Sequence, residues 1–108
     1  MEKVVRPAFS GQEWTASERR VLTQIRAMLG HIVGSIEYEH GVTDEREPWC
    51  VYYDIHTEES IVQVSRIAGR YLIVGFDGTK TSVLDPGGMI PIIARIFSSS
   101  KLVGFRGR

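Results

Sequence analysis

Hydrophobic residues recur at helical spacing near the start of the chain. Thr15 and Glu18 fit a capping box, in which the threonine hydroxyl accepts from the backbone N–H of Glu18 and the glutamate accepts from that of Thr15. The apolar positions that follow are Val21, Leu22, Ile25, Met28 and Leu29. This spacing predicts an amphipathic helix over residues 16–29, with Gly30 as its C-terminal stop and an irregular arm over residues 1–13.

The middle of the chain alternates between apolar and polar residues, which is typical of β-strands. Turn-forming residues separate the alternating segments, and Ala68-Gly69 is short enough for a tight hairpin turn. The pattern predicts strands over residues 35–40, 49–55, 61–67 and 71–76, and a short fifth strand over residues 80–84. We expect these consecutive strands to pair as an antiparallel meander.

A second helical pattern follows residues 85–88 (Asp-Pro-Gly-Gly), which break the sheet. It predicts a helix over residues 89–97 with Pro91 in the first turn, where the missing N–H of proline costs nothing. Residues 101–108 form a basic tail. The sequence therefore predicts a single α+β domain over residues 1–108, an antiparallel four- to five-stranded meander sheet flanked by an N-terminal and a C-terminal helix.

The fourth predicted strand, Tyr71 to Phe76, is apolar on both faces. Such a strand usually lies inside the sheet and is covered on both sides. If both helices pack on one face, the other face needs the arm, the tail or a second subunit. Alternatively, the helices divide between the two faces. The first arrangement favours a homodimer, which is the commonest closed oligomer.

The formal net charge of the 108-residue chain is zero, from 13 basic and 13 acidic residues, and 43% of the residues are hydrophobic. This globular composition argues against a highly basic nucleic-acid or membrane-surface protein. The charges are nevertheless segregated. Residues 1–36 hold five bases and three acids (+2), residues 37–59 one base and eight acids (−7), and residues 60–108 seven bases and two acids (+5).

The acidic segment, which includes Asp44 and Glu45, has two interpretations. It could form an acidic edge that recruits a cationic partner or a divalent ion. The favoured interpretation is that it consists of solvated loops that keep a sheet edge from aggregating, because charged loops are ordinary protein surface. If the acidic edge binds the basic tail of a second copy, high salt should weaken the self-association.

Cys50 is the one cysteine of the chain, so neither an intramolecular disulfide nor a four-cysteine zinc site can form. The first residues lack the apolar run of a signal peptide. The most apolar stretch, residues 89–97, is shorter than the roughly 20 residues that cross a membrane. We therefore expect a soluble protein of the reducing cytoplasm that does not bind membranes.

No catalytic or metal-binding pattern is present. His31, His40 and His56 lack metal-ligand spacing, and residues 44–48 lack the alternating ligands and glycine of a calcium loop. Cys50 lies in a predicted strand, where a lone cysteine is commonly buried. We expect neither a cofactor nor a metal, although His40 and His56 could be neighbours at the ends of the first two strands.

The basic tail is a candidate for binding nucleic acid. Lys101, Arg106 and Arg108 surround the aromatic Phe105, and the first helix adds Arg19, Arg20 and Arg26. Flexible cationic segments contact phosphates, and an aromatic ring can stack on a base. The apolar residues of the tail could instead pack on the sheet.

The aromatic residues of the second strand are the other candidates for contact with a partner. Alternation places Trp49 and Tyr53 on one face and Tyr52 on the other. We expect Trp49 and Tyr53 to pack in the core. Tyr52 with Arg66 is the preferred surface pair, because tyrosine and arginine are enriched at binding hot spots.

Residues 41–74 combine an acidic turn, a Pro-Trp pair, an alternating aromatic strand, and a strand that ends in Arg-Ile before Gly-x-Tyr. These positions are Asp44-Glu45, Pro48-Trp49, Val51, Tyr53, Arg66-Ile67 and Gly69-Arg70-Tyr71. The segment resembles one that recurs in uncharacterised proteins of alpha-proteobacteria. The resemblance implies a β-meander unit and a bacterial origin but no activity. The related segments carry a histidine where this chain has Gln63, so no role of that histidine transfers here.

These patterns favour a small non-enzymatic protein-interaction or regulatory module that forms a homodimer or binds another protein. The first alternative is a nucleic-acid-binding protein that uses the basic tail and the first helix. The second alternative is a small metal-dependent enzyme.

Overall fold

The computed structural model describes residues 13–99. A helix, a five-stranded antiparallel sheet and a second helix follow one another along the chain. The elements are α1 (Ala16–Val33), β1 (Ile36–Val42), β2 (Pro48–Asp54), β3 (Ser60–Ile67), β4 (Arg70–Gly75), β5 (Lys80–Val83) and α2 (Met89–Ser99), with a 3-10 turn over Pro86–Gly88. This is the α+β fold that the sequence predicts. The predicted arm, apart from Glu13, and the basic tail lie outside the described residues.

Helix α1 begins as predicted and ends later than predicted. The capping box is present, since the Glu18 N–H donates to the Thr15 hydroxyl at 3.2 Å and the Thr15 N–H donates to the Glu18 carboxylate at 2.8 Å. The prediction that Gly30 ends the helix is wrong. Val33 still packs against the core, and this last turn outweighs the cost of about 1 kcal/mol for an interior glycine. The helix ends at Gly34, whose φ of 106° is readily adopted only by glycine.

The strands of the sheet are arranged in their chain order, β1-β2-β3-β4-β5, and every neighbouring pair is antiparallel. The predicted hairpin turn between β3 and β4 is confirmed, with φ of 52° at Ala68 and 77° at Gly69. Strand β4 lies between β3 and β5, in the interior position expected for a strand that is apolar on both faces. The register of β2 against β3 shifts between Tyr52 and Tyr53.

Both helices pack on the same face of the sheet. Helix α1 contacts β1, α2 contacts β4, and the two helices contact each other. The fully buried residues of this core are Ile25 and Leu29 of α1, Met89 and Ile93 of α2, and Cys50, Tyr52, Val62, Val64 and Ile73 of the sheet. The alternative in which the helices divide between the two faces is therefore wrong. Among residues 13–99, no helix covers the other face.

Candidate functional site

The face of the sheet opposite the helices, called the open face below, carries the side chains that alternate with the core. Strand register aligns five of them in one row, in the order Glu39, Val51, Gln63, Val74 and Lys80, one from each strand. Val51 and Val74 are half-buried, while Glu39, Gln63 and Lys80 are exposed. This central row therefore has a polar centre, an apolar residue on each side of it, and opposite charges at its two ends.

A second row runs parallel to the first, in the order Gly41, Trp49, Ser65, Leu72 and Ser82. The Trp49 ring lies over Gly41, because a Cβ atom at position 41 would be 2.7 Å from Cζ2 of the indole. Glycine on the edge strand thus lets the ring lie against the backbone. In these two rows the apolar residues belong to β2 and β4, with the polar residues Gln63 and Ser65 of β3 between them.

The two sides of the open face differ in charge. On the β1–β2 side, a depression of about 350 Å³ is lined by Glu39, Glu58, Val51, Tyr53 and Ser60. On the β4–β5 side lie Lys80 and Arg70, whose Nε donates to the Ser82 hydroxyl at 3.3 Å. The segregation of charge along the sequence therefore becomes a segregation across one face of the sheet.

Tyr52 does not belong to the open face, and the prediction that it lies on the surface is wrong. Its side chain is 0% exposed, because register pairs it with Tyr38 and Val62 beneath α1. Its hydroxyl donates to the Leu22 carbonyl at 2.7 Å. Its ring stacks on that of Tyr38, with 5.5 Å between the ring centroids. Burial raises the pKa of Tyr52. Tyr52 is a core residue that fastens the sheet to α1.

The face assignment of the other β2 aromatics is the reverse of the one predicted. Trp49 and Tyr53 are half-buried on the open face rather than packed in the core. The carbonyl of Trp49, in contrast, accepts a hydrogen bond at 3.2 Å from the indole of Trp14, which lies beside the helices. The aromatic candidates for contact with a partner are therefore Trp49 and Tyr53.

Arg66, the other half of the predicted surface pair, anchors the start of α1. Its Nε and Nη2 donate to the two carboxylate oxygens of Glu18 at 2.9 and 3.1 Å. The Tyr71 hydroxyl also donates to this carboxylate, which is 5% exposed. Burial raises the pKa of Glu18, but the hydrogen bonds from Arg66, Tyr71 and Thr15 outweigh it, so the pKa lies below its ordinary value. Burial and the adjacent Glu18 raise the pKa of Tyr71 to about 12.

The remaining predicted site residues are not brought together with this cluster. Asp44 and Glu45 are exposed in the turn between β1 and β2. Lys101, Arg106 and Arg108 lie outside the described residues. Two of the arginines of α1 are engaged within the fold: Arg26 pairs with Glu37 at 3.0 Å, and Arg19 donates to the Trp14 carbonyl at 2.6 Å.

The histidines and the cysteine of the described residues form neither a metal site nor a reactive thiol. No group of three or more His, Cys, Asp or Glu side chains among residues 13–99 could hold a metal ion. His40 lies opposite Cys50, whereas His56 follows the far end of β2, so these two histidines are not neighbours. Burial raises the pKa of the Cys50 thiol to about 12, which keeps it protonated and unreactive.

A groove of about 570 Å³ lies between α1 and the edge strand β1. Its apolar lining comes from Trp14, Leu22, Tyr38 and Val42, and residues of both charge signs border it. This volume lies within the usual range for ligand pockets. The mixed lining does not single out one class of ligand, so the open face is the better defined candidate.

Comparisons of the chain with protein-family models, with curated proteins and with solved structures find no match. None of the helices within residues 13–99 is long and apolar enough to cross a membrane. The bacterial origin implied by residues 41–74 stays a prediction. The function must therefore be inferred from the geometry of the open face.

Proposed function

We propose that this protein is a small non-enzymatic interaction module that self-associates through the open face of its sheet. The observation that supports the proposal is the contrast between the two faces. The central residues of the helix-covered face are fully buried (Cys50, Tyr52, Val62, Val64 and Ile73). Trp49, Val51, Leu72 and Val74 on the open face are only half-buried. Apolar side chains that a folded domain leaves accessible on one face are candidates for contact with a partner.

The size of the open face suits a small dimer interface. Strands spaced ~4.8 Å apart and about 20 Å long give a five-stranded face of roughly 24 by 20 Å, or roughly 480 Å². The area buried on two such faces, together with the area that protruding side chains add, approaches ~1,200 Å². This is the lower end of the area buried in specific interfaces. We therefore expect a dimer of micromolar rather than nanomolar affinity.

The test is a charge placed at the centre of the open face. Gln63 is exposed there, so Gln63→Arg leaves the core intact but sets two arginines against each other in a face-to-face dimer. Gln24→Arg is the matched control, because Gln24 is exposed on α1 in the layer of helices. Molar mass is measured by sedimentation velocity up to about 100 µM, where a dimer of micromolar Kd is almost fully formed.

The expected result is a wild-type mass approaching twice 12.2 kDa, unchanged in Gln24→Arg and returned to the monomer in Gln63→Arg. Far-UV circular dichroism of both variants checks that the fold is intact. A wild-type protein that stays monomeric over the whole concentration range would overturn the proposal. So would a dimer that Gln63→Arg leaves intact, because the interface would then lie elsewhere.

A further inference from the structure

We infer, on the basis of the proposed self-association, that two copies pack open face to open face about a two-fold axis that runs parallel to the strands through β3. The central row is nearly symmetric about Gln63. Rotation about this axis sets Val51 of one copy on Val74 of the other. It also brings Glu39 of each copy onto Lys80 of the other, while Gln63 meets Gln63 on the axis, where two side-chain amides can hydrogen-bond.

The second row obeys the same symmetry. Ser65 is its central residue, so the rotation sets Ser65 against Ser65 and Trp49 against Leu72 of the other copy. Gly41 and Ser82 occupy the ends of this row, where the small side chain of Ser82 meets the part of the Trp49 ring that lies over Gly41. The apolar residues of β2 thus face those of β4 in both rows, and the polar residues of β3 face their own copies.

Charge distinguishes this axis from a two-fold axis perpendicular to the strands. An axis perpendicular to the strands would set each strand on its own copy, which also matches apolar residues but places Glu39 against Glu39 and Lys80 against Lys80. Like charges brought together at an interface oppose association. The strand-parallel axis gives two Glu39–Lys80 pairs instead, one at each end of the row.

These two charges cannot satisfy each other within one copy. Glu39 and Lys80 lie on opposite edges of the sheet, four strand spacings apart. At ~4.8 Å per spacing this is about 19 Å, more than two Debye lengths at physiological ionic strength. Opposite charges at the two ends of one row are therefore complementary to the same row of a second copy of the chain.

The test reverses each charge alone and then both together. Glu39 and Lys80 are exposed, so Glu39→Lys and Lys80→Glu should not disturb the core. Each reversal converts two attractive pairs per dimer into two repulsive ones, and we expect about a tenfold increase in the dimer Kd at low salt. In the double variant E39K/K80E, opposite charges again face each other across the interface, with their signs exchanged. Its Kd should therefore return to near the wild-type value.

A control separates pairing from net charge. Glu45→Lys makes the same change in net charge as Glu39→Lys, but at an exposed position in the turn between β1 and β2, beyond both rows. We expect it to leave the Kd within about twofold, since rim charges away from a partner contribute little. Sedimentation equilibrium gives the Kd of each variant, and added salt should reduce the difference between the single variants and the wild type.

Weakening by both single reversals together with recovery in E39K/K80E supports the inferred axis. A dimer that neither single reversal weakens would overturn the axis in favour of the perpendicular one, while leaving the proposed self-association in place. Weakening without recovery in the double variant would overturn the Glu39–Lys80 pairing itself. A wild-type monomer would overturn both the inference and the proposed function.

Discussion

The buried carboxylate of Glu18 ties the start of α1 to the sheet, and replacing it tests how the fold is held together. Glu18→Gln keeps the shape of the side chain and an oxygen that accepts from the Thr15 N–H, so the helix cap is retained. It removes the negative charge that Arg66 contacts at 2.9 and 3.1 Å. It also replaces an oxygen that accepts from the Tyr71 hydroxyl.

We expect Glu18→Gln to lower the free energy of unfolding by about 3 kcal/mol. Hydrogen bonds to a charged group each contribute ~1.5–3 kcal/mol, and removal of one partner of a buried ion pair costs ~3–5 kcal/mol. The Arg66 side chain is 20% exposed and can regain part of its hydration, which places the expected cost at the lower end of that range.

Urea denaturation followed by circular dichroism measures the difference. Glu37→Gln is the matched control. Glu37 pairs with Arg26 at a similar distance, 3.0 Å, but the side chains of Arg26 and Glu37 are 41% and 44% exposed. An exposed pair contributes at most about 1 kcal/mol. A loss in Glu18→Gln no larger than in Glu37→Gln would refute the role of Glu18 as the anchor of α1.

The pH dependence gives a second readout of the same anchor. The pKa of Glu18 is lower in the folded protein than its ordinary value of 4.5, so the ionised carboxylate stabilises the fold above about pH 4.5. This stabilisation is lost as the pH falls through the folded pKa. The difference in unfolding free energy between wild type and Glu18→Gln should therefore narrow below pH 4.5, and a constant difference would contradict the assignment.

Two further predictions concern the two sides of the sheet. Tyr52→Phe removes the hydrogen bond to the Leu22 carbonyl and should cost about 1 kcal/mol in urea denaturation, without changing the dimer Kd. A weakened dimer with unchanged stability would show that Tyr52 lies at the interface. Gly41→Ala sets a Cβ atom 2.7 Å from Cζ2 of Trp49, so the indole must turn away from β1 and its fluorescence emission should shift to longer wavelength. An emission spectrum identical to that of the wild type would contradict this packing.

Much of the fold could be predicted, because the residues that determine its helix starts and turns lie close together in the sequence. The Thr15–Glu18 capping box, the Ala68-Gly69 turn and Pro91 in the first turn of α2 each depend on residues within a few positions of one another. The end of α1 depends on more distant contacts. Gly30 is intrinsically a weak helix former, but α1 continues because Ile32 and Val33 pack against the core.

The open face could not be assigned from β2 alone. Strand β2 carries large residues on both of its faces, so alternation separates Trp49 and Tyr53 from Tyr52 without showing which set is covered. The register of β2 against β3 is needed to decide which set is covered. There Val62 and Val64 are buried while Gln63 is exposed, and pairing of Tyr52 with Val62 assigns Tyr52 to the core.

The strand register shows where the opposite charges that sum to zero lie in the fold. The acidic segment 37–59 spans β1, β2 and the turns that follow them, while Lys80 and Arg70 belong to the strands at the other side of the sheet. The sequence alone offers one way to self-associate, with the acidic edge of one copy on the basic tail of another. Lys80 now supplies a cation within the sheet itself, at a fixed position in the same row as Glu39. A cation fixed in a strand loses less conformational entropy on pairing than one on a flexible segment. The salt-sensitive self-association predicted from the sequence should therefore survive deletion of residues 101–108.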